Sequence, residues 1–158
     1  MQNAALQWIS DLLRERDIPF VVCGGLAAIA YGSTRPLNDI DLFVPGKHFQ
    51  SVVSAGSPHV SKSAKRSREA GWHLEYIQFI YEGVKVEVGN AEQVEIFDSD
   101  SHEWTELHLD FSRVKDIEVM GVALPVMNVE DLIHYKRILN RPVDRDDLAQ
   151  IVTKEGAH

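Results

Sequence analysis

Cysteine and long apolar runs are scarce in this sequence of 158 residues. Cys23 is the only cysteine, so no disulfide can form within the chain. No apolar stretch approaches the roughly 20 residues that cross a bilayer, because charged residues or glycine interrupt each run. The first residues, MQNAALQWISDLLRERD, lack the cationic and then apolar order of a secretion signal. These absences predict a cytoplasmic protein that does not span a membrane.

An excess of positive charge is also missing. The chain has 16 lysines and arginines against 24 aspartates and glutamates, which gives a formal net charge of −8. Nucleic acid and anionic lipid are densely negative, so this balance disfavours extended binding to either, although it leaves a local basic pocket open. The seven histidines show no zinc-ligand spacing. The 44% hydrophobic and 25% charged residues that are present predict one globular domain over residues 1–158.

Helix and strand patterns alternate along the chain, which indicates an α+β fold with helices around a mixed sheet. The first part predicts a helix over 3–16, a strand over 20–23, a helix over 26–31, a strand over 39–44, and helical pieces on both sides of 56–58 within 47–70. The later part predicts hairpins over 74–88 and 114–126, then a helix pair over 128–153 with Asn128 as the cap of its first helix.

Asp39 and Asp41 are the first candidates for chemistry. Carboxylates at positions i and i+2 of a strand point to the same face, so both can reach one divalent cation, and Mg²⁺ prefers such oxygen ligands. Gly24 and Gly25 end a short apolar strand and open a helix, where backbone N–H groups can approach a phosphate closely. A surface strand with alternating acids would show the same DxD pattern. The interpretation as a metal site therefore depends largely on the two glycines.

The combined pattern resembles the polymerase-beta-like nucleotidyltransferase superfamily. Val22-Cys23-Gly24-Gly25 is followed, after thirteen residues, by Asp39-Ile40-Asp41-Leu42. The segment GGLAAIAYGSTRPLNDIDLFVP is similar to the small bacterial members, which include lincosamide and aminoglycoside nucleotidyltransferases and the minimal enzymes of toxin–antitoxin and phage-defence systems. Near the C-terminus, VEDLIHYK and RPVDRDDL are similar to the same members. The resemblance implies a nucleotidyltransferase-like mixed sheet with helices around it.

The resemblance also implies a third carboxylate from a later strand, and Glu87 is the candidate. In residues 84–88 the three valines share one strand face, and Lys85 and Glu87 share the other. Glu87 would then act as general base or as a third metal ligand beside Asp39 and Asp41, and a solvated edge pair is the alternative. The family more often has Asp here, which leaves the role of Glu87 open.

Nucleotide-binding candidates are Gly24, Gly25, Ser33, Arg35 and Lys136. Arg35 would contact a phosphate or brace Asp39 through a bidentate pair. Lys136 would reach a nucleotide phosphate or remain solvated on its helix.

Two further charged groups have structural alternatives. Arg141, Asp144 and Asp147 are interpreted as an ion-pair network at the turn between the last two helices. The basic run of Lys62, Lys65, Arg66 and Arg68 would steer an anionic substrate or form a solvated helix face.

Three functions are compatible with these residues. The leading hypothesis is a Mg²⁺-dependent transferase that moves NMP from an NTP, with ATP favoured, to a hydroxyl of a small molecule, a protein or an RNA, and releases pyrophosphate. The alternative is a nucleotidyltransferase-like antitoxin, or another partner-binding protein with little catalysis, whose partner would be a helical toxin-like protein. A metal-dependent hydrolase needs the same acids, and a homodimer is left open.

Overall fold

The computed structural model describes the backbone of residues 2–156 and the side chains of residues 2–151. Its helices are α1 (Gln2–Arg14), α2 (Gly24–Ala30), α3 (Gly46–Ala55), α4 (Val129–Leu139) and α5 (Pro142–Gly156). Its strands are β1 (Val21–Cys23), β2 (Asp39–Val44), β3 (Val60–Glu69), β4 (Trp72–Tyr81), β5 (Val84–Asn90), β6 (Glu95–Asp98), β7 (Glu103–Glu106), β8 (Lys115–Val119) and β9 (Val122–Val126). None of the helices in this range is both long and apolar enough to span a membrane.

The nine strands form one mixed sheet in the order β7-β6-β4-β5-β2-β1-β9-β8, and β3 pairs with the free edge of β4. The pairs β1–β9 and β2–β5 are parallel, and the others are antiparallel. The centre of the sheet is therefore built from strands that are far apart in sequence. This arrangement places β1, β2 and β5, which carry the candidate residues, side by side.

The core lies where the helices cover this sheet. Helix α1 buries one apolar stripe, whose members are Ala5, Leu6, Ile9, Leu12 and Leu13. The valines of β5 face the same interior, as the alternation of residues 84–88 predicts. Burying large aliphatic side chains of this kind contributes roughly 1.5–3 kcal/mol each, so the core holds the central strands in fixed register.

Most of the predicted elements are confirmed. Strand β2 has the predicted bounds, both hairpins form, and the side chain of Asn128 accepts a hydrogen bond from the N–H of Glu130 at the start of α4. Helices α4 and α5 form the predicted C-terminal pair.

One prediction is wrong. The part of 47–70 that follows residue 58 is not a helix but strand β3, which pairs with β4 along its length. Its charged residues have the spacing of a helical face, but the hydrogen-bonding edge of β4 decides the conformation, and no local pattern records that edge. Strands β6 and β7 lie in a region for which the sequence predicts no element.

Candidate active site

The candidate carboxylates lie in one transverse row of the sheet. In the strand register Cys23 is opposite Asp41, Asp41 is opposite Glu87, and Glu87 is opposite Gln78. Directly opposed residues of neighbouring strands point to the same face, so these four side chains, which we call the carboxylate row, share one surface. Asp39 precedes Asp41 by two residues and joins the same face.

The acids of this row form no ion pair with a basic side chain of the described range. Among the side chains of residues 2–151, neither aspartate nor Glu87 has a basic group within ion-pairing distance. Burial, followed by the nearby charges of Glu87 and Asp39, raises the pKa of Asp41 to about 7. Burial also raises the pKa of Glu87, although a hydrogen bond from Gln78 opposes the shift. The carboxyl groups of Asp41 and Glu87 interact, so ionisation of one makes ionisation of the other less favourable.

Such a site suits a divalent cation whose remaining ligands are water or substrate oxygens. As they stand, no three or more His, Cys, Asp or Glu side chains in the described range are gathered to enclose a metal ion. Mg²⁺ is commonly held by one or two carboxylates together with substrate phosphates and water, which does not require a complete protein cage. Asp39 and Asp41 fit that donor set, and their unbalanced charge fits a divalent ion.

Gly24 and Gly25, the glycine turn, lie at one end of the carboxylate row. Gly24 has φ of 62°, and a Cβ atom there would stand 2.8 Å from Oδ2 of Asp41. At Gly25 a Cβ atom would stand 2.6 Å from Nη2 of Arg35. Only glycine therefore allows the backbone to approach the acid and the guanidinium so closely. The N–H of Gly24 donates to the hydroxyl of Tyr135 at 2.8 Å, so this donor already has a partner.

Beneath the glycine turn, three cations and two carboxylates form what we call the cation network. Its members are Arg35, Lys136, Arg141, Asp144 and Asp147. Each arginine makes a bidentate pair, Arg35 with Asp147 at 2.7 and 3.1 Å and Arg141 with Asp144 at 2.7 and 3.0 Å. The ammonium of Lys136 lies between both carboxylates, 3.4 Å from Asp144 and 3.0 Å from Asp147.

The cation network has one positive charge in excess, and its three cationic residues are among those that line the cleft. Lys136, Asp144 and Asp147 are fully buried, with 0–1% of their surface exposed. Burial opposes ionisation of Asp147, but its hydrogen bond from Arg35 and the charge of Lys136 outweigh that and hold its pKa below the usual value. An anion in the cleft would meet a net positive wall here.

The structure corrects two interpretations of these residues. Arg35 does not brace Asp39, because its guanidinium is engaged by Asp147. Lys136 is not solvated, because it is enclosed in the cation network. The predicted network at the turn between α4 and α5 does form, and it is larger than predicted because it includes both of these cations.

Ser33 stands apart from the other candidates. Its side chain is buried, its hydroxyl lies 3.5 Å from Oδ1 of Asp147, and it does not line the cleft. Its position supports the cation network rather than a direct contact with a ligand.

A cleft with a volume of about 330 Å³ opens over the glycine turn and the carboxylates. One wall is aromatic and apolar, formed by Phe43, Trp72, Leu74 and Tyr76. Trp72 packs edge-on against Tyr135, with ring centroids 5.4 Å apart. The sequence did not single out this wall, Tyr135 or Arg141 as part of the site. The only signal was the place of Tyr135 beside Lys136 in VEDLIHYK, and the packing of α4 under the sheet was needed to interpret it.

The strand order, the glycine turn after β1 and the two aspartates on one face of β2 together define the class of nucleotidyltransferase-fold proteins. Solved structures show the same fold. The Thermotoga maritima protein TM1012, assigned as a nucleotidyltransferase, matches 97% of this chain and 93% of its own, with 21% identity and a TM-score of 0.72. The lincosamide antibiotic adenylyltransferase LnuA, with lincomycin bound, matches 94% and 95%, with 14% identity and a TM-score of 0.64. ANT(2″)-Ia in complex with adenylyl-2″-tobramycin matches 99% and 95%, with 14% identity and a TM-score of 0.62.

The family itself is shown by sequence. Residues 2–157 match the family described as nucleotidyl transferase of unknown function (DUF2204), and the chain belongs to it. No sequence among the curated proteins matches this chain.

Proposed function

We propose that this protein is a Mg²⁺-dependent nucleotidyltransferase that moves the NMP group of an NTP, with ATP favoured, to a hydroxyl acceptor. The observation that carries the proposal is the carboxylate row, which lies on one face of the sheet between the glycine turn and an open cleft. Family membership and the adenylyltransferase folds support the reaction type. The metal and the acceptor class are inferred from the residues.

The cation network and the glycine turn would bind the triphosphate, and the aspartates would bind the metal. Arg35, Lys136 and Arg141 present net positive charge to the triphosphate and stabilise the pyrophosphate that leaves. The glycine turn allows the phosphate chain to approach the backbone. Mg²⁺, when bound by Asp39 and Asp41, would supply positive charge to the phosphate oxygens.

Glu87 lies where it can act as general base on the acceptor hydroxyl. It lies beyond Asp41 as seen from the glycine turn, it is half-buried, and Gln78 holds its carboxylate through a 3.3 Å hydrogen bond. In the transfer, the acceptor oxygen forms a bond to the α-phosphorus, the bond from that phosphorus to the bridging oxygen breaks, and pyrophosphate leaves with the bond electrons. Glu87 takes the hydroxyl proton, for which its raised pKa is suited.

Binding and transfer can be tested in sequence. The purified protein is titrated with each NTP, with and without Mg²⁺, and then given α-labelled NTP to follow label transfer and pyrophosphate release. Binding of an NTP that requires Mg²⁺ and is lost in Asp39→Asn/Asp41→Asn is the expected result. If no NTP binds in the presence of Mg²⁺, the proposal is wrong. Partner binding in place of catalysis stays a prediction, which co-purification with a helical protein would test.

A further inference from the structure

Strand β3 extends the carboxylate row past Gln78. In the β3–β4 register Lys62 is opposite Gln78, so the row ends in a cation. The row therefore begins beside the glycine turn, passes the acids, and ends at Lys62, three strands beyond Asp41 on the same face of the sheet. A donor bound at the glycine turn leaves this far side to the acceptor.

An irregularity in β3 brings a second lysine to the same face. Lys62 and Lys65 are three residues apart, and in a regular strand they would point to opposite faces. The register shifts between them, so that Lys65 is opposite Tyr76 while Lys62 is opposite Gln78. Tyr76 and Gln78 are two residues apart in β4 and share one face. The bulge thus aims both lysines to the cleft side of the sheet, and such bulges commonly re-aim side chains next to active sites.

These two lysines are unpaired cations, unlike the arginines of the same strand. Arg66 lies 3.7 Å from Glu95 and donates to a backbone carbonyl, and Arg68 stacks over the ring of Trp104 at 5.3 Å. Lys62 and Lys65 are both exposed, and neither forms an ion pair within 4.0 Å among the described side chains. An acidic neighbour on this side is Glu69, whose carboxylate accepts a hydrogen bond from Tyr76 and whose pKa is lowered by that bond and by the charges of both lysines. Because the chain has a net charge of −8, two exposed cations without ion pairs on the face of the sheet that carries the cleft are a local exception.

The distance between Lys62 and Glu87 along the carboxylate row determines how far a bound anion would lie from the general base. Neighbouring strands are about 4.8 Å apart, so the backbone of Lys62 is roughly 10 Å from that of Glu87, two strands away. An anion held by the lysines is therefore within one small molecule's length of a hydroxyl at Glu87. A cationic acceptor would be repelled at the same place.

We propose that Lys62 and Lys65 bind a phosphate group on the acceptor, so that the hydroxyl compound receiving the nucleotide is itself a phosphate ester. This inference rests on the proposed function and deepens it. The phosphate would belong to a small sugar phosphate or to the end of an RNA strand, which present the same chemistry to the two lysines.

The test compares Lys62→Gln/Lys65→Gln with a control of equal charge change, Lys47→Gln/Lys115→Gln, whose lysines are also exposed but lie on α3 and β8. Each protein is first titrated with Mg²⁺ and a non-hydrolysable ATP analogue. The complexes are then titrated calorimetrically with ribose, with ribose 5-phosphate, and with a short single-stranded RNA that has a free 3′ hydroxyl.

We expect wild type and control to bind at least one phosphate-bearing probe roughly tenfold more tightly than ribose, and the Lys62→Gln/Lys65→Gln variant to lose that preference while binding the analogue normally. If RNA is the source, the slope of log affinity against log salt falls in magnitude by about 1.4, which is two phosphate contacts at about 0.7 each.

Three results would overturn the inference. These are a wild-type protein that binds neither phosphate probe better than ribose, a double variant that keeps the preference, and a double variant that loses the ATP analogue. The first two leave the proposed function standing if wild type binds the analogue. Failure of wild type to bind the analogue instead refutes the proposed function, and the inference with it.

Discussion

Replacing Asp41 with asparagine should stabilise the metal-free protein while it abolishes transfer. Asp41 has its pKa raised from 3.8 to about 7, first by burial and then by the charges of Glu87 and Asp39. Each pKa unit corresponds to about 1.36 kcal/mol, so roughly three units cost about 4 kcal/mol when the carboxylate is ionised. Since the residue keeps partial solvent contact, screening reduces this to about 2–4 kcal/mol.

The direction of the Asp41 pKa shift determines the pH range over which stability changes. The folded protein binds the Asp41 proton more tightly than the unfolded chain does, so wild-type stability falls as pH rises from about 4 to about 7. The amide introduced by Asp41→Asn is neutral throughout this range and can still donate to Glu87. The difference in free energy of unfolding between variant and wild type should therefore be near zero at pH 4, and reach its full value in favour of the variant above pH 7.

Urea denaturation in the presence of a chelator, at intervals from pH 4 to pH 8.5, measures this difference. The control is Asp116→Asn, an exposed strand carboxylate, for which a change within about 0.5 kcal/mol is expected at each pH. Mg²⁺ with ATP at a hundredfold excess over the dissociation constant should stabilise wild type by about 2.7 kcal/mol and the Asp41→Asn variant far less. A variant that is less stable than wild type at pH 8 would refute the reasoning, because Asp41 would then be a paired structural residue.

Three other substitutions test the surroundings of the acids. Gly24→Ala should lower both stability and transfer, because the added Cβ would meet the side chain of Asp41. Gly83→Ala is the control, since Gly83 has a similar positive φ but open space around it. Backbone strain of about 1–2 kcal/mol is expected in both variants, so the further loss of stability in Gly24→Ala measures the contact with Asp41. Asp147→Asn leaves Arg35 and Lys136 without this carboxylate, and urea unfolding at pH 7 should show a loss of about 3–5 kcal/mol. That loss should shrink as pH falls through the depressed pKa of Asp147, because the wild-type contribution is itself lost there; a difference below about 1 kcal/mol at pH 7 would contradict the importance of the network. Tyr135→Phe removes the acceptor of the Gly24 N–H, and denaturation together with a transfer assay should show about 1–3 kcal/mol of lost stability and slower transfer, whereas unchanged values would mean that water replaces the hydroxyl.

Local patterns were enough to predict strand β2 and the two hairpins, because alternation and turn residues within a few positions determine them. They were also enough to place Asp39 and Asp41 on one face. Strand β3 was mistaken for a helix because its residues are polar on both faces, and only the edge of β4 makes it a strand. The short strands β6 and β7 likewise depend on pairing partners.

The sequence by itself determined which groups are available: a glycine pair between a strand and a helix, two carboxylates two residues apart, and a third on an alternating strand. These follow from short-range geometry, in which backbone conformation and side-chain direction repeat along the chain. Only the tertiary structure decided that Glu87 lies opposite Asp41, that Lys136 is buried with Asp144 and Asp147, and that Lys62 and Lys65 of β3 lie on the face of the sheet that carries the cleft. Those outcomes depend on strand order and long-range packing, and contacts between residues distant in sequence leave no periodic mark in the sequence.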